Sequence, residues 1–182
     1  MKKIIAALSA VGLVALIVAA TASAASVTAT VGVTAGTLSM SSSATPSGSV
    51  TLNGTDQTTS FGIPLSVVDA TGSGAGWNIT ITSTQFSAGG GKTLSTSASS
   101  ITGVTSACNA SVTCTNPTNA ITYPLGVPAG SVPPTAVKLF NAAASSGMGG
   151  FTVTPTMQVA VPANTLAGSY TSTLTIAIVS GP

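Results

Sequence analysis

Hydroxyl-bearing and apolar residues alternate along much of this chain. Val27, Ala29, Val31 and Val33 alternate with Thr28, Thr30, Gly32 and Thr34. Trp77, Ile79 and Ile81 alternate with Asn78, Thr80 and Thr82. Met157, Val159 and Val161 repeat the pattern, and Tyr170, Ser172, Leu174, Ile176 and Ile178 alternate with Thr171, Thr173, Thr175 and Ala177. A strand turns successive side chains to opposite faces, whereas a helix needs apolar residues every third or fourth position. Thr and Val also favour strands, because branching at Cβ suits a pleated surface. Each of these runs therefore predicts a strand.

Turn chemistry separates the runs. Asn53-Gly54 is a hairpin-type dipeptide, Gly72-Ser73-Gly74-Ala75-Gly76 leads into the Trp77 strand, and Gly89-Gly90-Gly91 is a further break. Pro128, Pro133 and Pro134 mark a long irregular connection. One stretch reads differently. Val137, Leu139, Phe140 and Ala143 are spaced to share a helical face, so Thr135–Ala144 predicts a short helix, with Pro134 at its first turn and Gly147 beyond its end. Many short strands without regular intervening helices predict an all-β fold: one β-sandwich or barrel-like domain of mainly antiparallel strands.

The N-terminus reads as a secretory signal peptide over residues 1–24. Lys2 and Lys3 precede an apolar run from Ile4 to Ala20, and Ala22-Ser23-Ala24 fits the small-x-small cleavage pattern. Cleavage is expected after Ala24 or Ala25; an uncleaved anchor is the competing reading. The domain then spans 25–182, enough for a single core. Loss of the signal leaves Lys92 and Lys138 against Asp56 and Asp69, a formal side-chain charge of zero.

Composition narrows the function. Only 3% of the residues are charged, against about 25% in an ordinary soluble domain. The chain has no His, Glu or Arg, but 26 Ser and 30 Thr. Nucleic-acid binding lacks its cluster of basic residues. Ser or Thr nucleophiles lack a His base, and a zinc site would have only two Cys and two Asp to draw on. No enzyme, metal site or cofactor is expected. Lys92-Thr93 after three glycines resembles the end of a phosphate loop, but Phe86 stands where that motif needs Gly, so no nucleotide is expected either. Asp56 and Asp69 sit beside turn residues and read as caps of backbone N–H groups, with a weak calcium site as the alternative.

Cys108 and Cys114 predict a structural disulfide in an exported protein; the C-x5-C spacing does not suit a thioredoxin-type redox pair. Trp77 has two readings. Its phase with Ile79 and Ile81 favours the core, while an exposed Trp beside polar residues would stack on a sugar.

The stretch Val67-Val68-Asp69-Ala70-Thr71-Gly72-Ser73-Gly74-Ala75-Gly76-Trp77-Asn78-Ile79-Thr80-Ile81 resembles the first motif of the WxL domain family. Val161-Pro162-Ala163-Asn164-Thr165-Leu166-Ala167-Gly168-Ser169-Tyr170, with the Thr-rich strand after it, is similar to the family's end, and Gly36-Thr37-Leu38-Ser39-Met40 resembles its opening. Two positions differ. The first Trp-x-Leu is Trp77-Asn78-Ile79, and the second is Ile176-Ala177-Ile178, without its Trp. The resemblance implies a secreted, non-enzymatic protein of the bacterial cell surface that binds the cell wall non-covalently through peptidoglycan. Other surface proteins are further candidate partners. A subunit of a surface coat, fimbria or fibre is the rival reading, since an uncharged, strand-rich chain suits edge-to-edge assembly.

Overall fold

A computed structural model describes residues 25–182, and the signal segment expected over 1–24 lies outside them. The strands are β1 (Leu38–Ser41), β2 (Gln57–Gly62), β3 (Leu65–Asp69), β4 (Trp77–Thr84), β5 (Ser87–Gly89), β6 (Lys92–Thr93), β7 (Ser99–Cys108), β8 (Leu125–Gly126), β9 (Ala129–Gly130), β10 (Val137–Ala142), β11 (Gly149–Val161) and β12 (Leu174–Ser180). The described residues contain no helix, so the fold is all-β.

One sheet runs β1-β3-β11-β7-β8, with β2 also on β11; a second runs β10-β4-β12, with the short β9 parallel to β4; β5 and β6 form a third, two-stranded sheet. All other pairings are antiparallel. β11 is the axis of the first sheet. One edge of β11 carries β7, and the other carries β3 at Gly149–Val153 and β2 at Thr156–Val161. Proline inside a paired strand is unusual, because it removes a ladder donor. Pro155 sits where β2 gives way to β3 at Ile63-Pro64, and its carbonyl accepts from the Ile63 N–H at 2.9 Å. A residue's N–H and C=O face the same edge, so the missing donor falls in this break.

The first two sheets contribute to one core. Leu65, Val67, Ile101, Phe151, Val153 and Met157 come from the first, and Trp77, Ile79, Ile81, Leu139 and Phe140 from the second. Each such side chain contributes about 1.5–3 kcal/mol by leaving water. β4 is central enough that its polar residues are buried too, and they are satisfied: Thr82 donates to the Pro134 carbonyl at 2.8 Å and Asn78 to the Gly181 carbonyl at 2.7 Å.

Two sequence expectations fail. The helix expected over Thr135–Ala144 is strand β10. Lys138 pairs with Thr80 and Phe140 with Ile79, leaving Leu139 as the extra residue of a bulge. The bulge turns both Leu139 and Phe140 into the core. It breaks the alternation and produces the spacing that reads as helical. The strand expected over Val27–Val33 also does not form; these residues take no regular secondary structure, and Val27, Val31 and Val33 are 90%, 85% and 92% exposed. Alternation supplies an apolar face, but a strand also needs a neighbour for its backbone groups.

The outer edge of β10 is covered. The Asn119 carbonyl oxygen Oδ1 accepts from the Asn141 N–H at 3.0 Å, and the Tyr123 hydroxyl donates to the Leu139 carbonyl at 2.6 Å. Burial pushes the Tyr123 phenol above its ordinary pKa, opposed by the hydrogen bond from Asn119. The edge is thus closed by side chains rather than by another strand.

Candidate functional site

The two stretches singled out in the sequence lie side by side. Trp77, Asn78 and Ile79 open β4, and Ile176, Ala177 and Ile178 lie in β12, with Ile178 opposite Ile79 and Ile176 opposite Ile81. Trp77 and Ile79 are fully buried, Asn78 nearly so; Ile176 and Ile178 are half-buried, and Ala177 is exposed. Trp77 donates from Nε1 to the Gly147 carbonyl at 2.8 Å, and its ring packs against Phe140 and Phe151 at centroid distances of 5.8 and 6.4 Å. In this arrangement the indole has no face for a sugar.

The approach to Trp77 is built by short side chains. Asp69 Oδ1 accepts from the Thr71 N–H and hydroxyl at 3.0 and 2.7 Å, Thr71 Oγ1 accepts from the Ser73 N–H, and Ser73 Oγ from the Ala75 N–H. Each is a local turn of the Asx or hydroxyl kind. Gly76 closes the loop at φ +74°, where a Cβ would collide with the Ala142 carbonyl oxygen.

At the opposite end of the sheets is an open groove of about 890 Å³. Phe61, Phe86, Leu94, Val159, Val161 and Leu174 form its apolar floor, and residues 45–50 and 165–172 its walls. No charged side chain lines it. The second wall is tied down: Tyr170 donates to the Leu166 carbonyl at 2.8 Å, Lys92 to the Ala167 carbonyl at 3.1 Å, and Ser172 to the Thr84 carbonyl at 2.6 Å. Sequence reading missed this groove, because its residues come from several distant segments and no local spacing joins them.

A family model described as "WxL domain surface cell wall-binding" matches residues 29–182. The chain belongs to the WxL domain family. No curated protein and no solved structure matches it. The match covers the motif strands, the groove and the cysteine loop of this WxL domain together.

Cys108 and Cys114 form a disulfide with Cα atoms 6.0 Å apart. It closes the loop that follows β7, and Thr115 beyond it exchanges backbone bonds with Met148 and Gly147 at 2.9 and 2.8 Å. Gly147 also holds Trp77, so the disulfide braces the Trp77 end of this WxL domain. The loop is short, so reduction is expected to cost about 2 kcal/mol. A reduced and an oxidised sample compared in denaturant would show it, and thiol labelling should find the two cysteines only after reduction.

The other candidates are not brought together. Asp69 closes β3 while Asp56 precedes β2, at opposite ends of a thirteen-residue extended run, roughly 40 Å at the usual strand rise. Asp56 accepts from the Ala163 N–H at 2.9 Å. Both carboxylates cap backbone, and they do not form a pair. Lys92-Thr93 forms β6 of a small hairpin rather than the start of a helix, so it offers no helix N-terminus to a phosphate.

Proposed function

We propose that this WxL domain is exported by its N-terminal segment, catalyses no reaction and attaches non-covalently to peptidoglycan, with its two main sheets packed as a sandwich. The observation that carries this reading is the family match across residues 29–182. The charge inventory supports a particular mode of contact. Residues 25–182 carry two Lys and two Asp, while hydroxyl side chains are abundant, so adhesion runs through hydrogen bonds and apolar contact. Other surface proteins are further partners on this reading.

Binding of the exported protein to purified peptidoglycan tests it. The Debye length falls from about 30 Å to about 3 Å between 0.01 and 1 M salt, which removes most ionic attraction. Retention is expected to change less than about twofold over that range. No retention, or complete release by salt alone, would overturn the reading.

A further inference from the structure

We propose that the groove beside Phe61, Phe86 and Leu174 holds the glycan strand of peptidoglycan, a neutral polymer of N-acetylated sugars, and leaves the charged stem peptides outside. Attachment to peptidoglycan is the reading on which this rests; the groove adds which part of the polymer is held, and where.

The site is formed before any ligand arrives. Its volume of about 890 Å³ lies within the range of about 300–1,000 Å³ usual for ligand sites. Phe61 comes from β2, Val159 and Val161 from β11, and Leu174 opens β12, while Phe86 and Leu94 flank the β5–β6 hairpin. Leu94 donates from its N–H to the Phe86 carbonyl at 3.0 Å, which locks that flank of the floor. The wall at 165–172 is held as firmly, because Ser87 and Thr171 exchange both backbone bonds at 3.0 Å. A ligand entering here has little loop ordering to offset.

Charge selects the glycan over the stem peptide. Lys92, Lys138, Asp56 and Asp69 all lie outside the lining. Lys92 touches the wall through the Ala167 carbonyl, but its side chain lines a separate depression. A stem peptide carries carboxylates and amines, and in this groove they would lose water without meeting an opposite charge. The sugar strand imposes no such cost.

The hydroxyls select the glycan over a purely apolar ligand. Tyr170, Thr171 and Ser172 spend theirs on the Leu166, Ser87 and Thr84 carbonyls. The hydroxyls of Thr45, Ser47, Ser49, Thr59, Thr165 and Ser169 line the groove and make no such bond among the described residues. An acyl chain would strip water from these hydroxyls and return no hydrogen bond. An N-acetylated sugar offers hydroxyl and amide groups to the walls, and its ring C–H face and acetamido methyl to the floor.

The test uses the exported protein, with chitotetraose, a neutral tetramer of N-acetylglucosamine, and a free stem pentapeptide as probes. Chitotetraose should bind in a calorimetric titration and release the protein from purified peptidoglycan, and the pentapeptide at equal concentration should do neither. Leu166→Asp and Ser49→Arg put a charge on each wall at exposed positions, and each should weaken chitotetraose binding by at least about tenfold with an unchanged unfolding midpoint. Val112→Asp, an exposed position outside the groove, should bind like the parent. A parent retained on peptidoglycan but indifferent to chitotetraose would overturn the groove assignment and leave attachment standing. So would release by the pentapeptide, or wall-charge variants that bind like the parent. A parent that peptidoglycan does not retain would instead overturn attachment itself, and this assignment with it.

Discussion

Trp77→Ala is expected to destabilise the domain by about 3–5 kcal/mol, a large share of the 5–15 kcal/mol that holds a typical domain together. The indole is fully buried between Phe140 and Phe151, so its removal leaves a cavity as well as losing the transfer energy. Trp77→Phe keeps most of the volume but leaves the Gly147 carbonyl without its donor, and should cost about 1–3 kcal/mol. Denaturant midpoints of the two variants, with wall retention measured on the same samples, check the result. Under the scaffold role the Phe variant still binds walls. An alanine variant as stable as the parent that no longer binds would instead make Trp77 a contact residue.

Gly147→Ala is the second large effect, and it acts on the same site from the other side. Gly147 has φ +72°, and a Cβ there would meet the Ala142 side chain and come within 2.7 Å of Trp77 Nε1. The left-handed backbone costs an ordinary residue about 1–2 kcal/mol, and overpacking adds about 1–3 kcal/mol. The substitution should therefore cost roughly 2–5 kcal/mol. Combined with Trp77→Phe the two effects should fall short of their sum, because the smaller ring vacates part of the space the new methyl needs, while the contact with Ala142 remains. Strict additivity in that double-mutant cycle would show that the two residues are not coupled.

The strands that flank the Trp77 core were legible because their alternation is regular: β4, β11 and β12 all carry it. The β10 bulge was not, since one inserted residue shifts the apolar phase and leaves a spacing that a helix also satisfies. Nor was the absence of a strand at Val27–Val33, because alternation specifies a face and says nothing about whether a neighbouring edge exists to pair with it. The cysteine pair and the capping role of Asp69 follow from local chemistry and could be read from spacing. The groove could not. Phe61, Phe86, Leu94 and Leu174 meet only through the pairing of distant strands, and that pairing leaves no mark on any short stretch of sequence.

The placement of β11 bears on how the chain reaches this fold. Its partners β2, β3 and β7 begin 92, 84 and 50 residues before Gly149. None of the pairings that centre the first sheet forms until nearly the whole chain is present, so the fold has a high contact order and must close its longest loops before it gains their reward. A chain emerging from its N-terminus leaves the edges of β2, β3 and β7 that β11 will cover without their partner throughout that interval, when they are most open to pairing with other molecules. The arrival of a single late strand thus joins β2, the β1–β3 pair and the β7–β8 pair into one sheet.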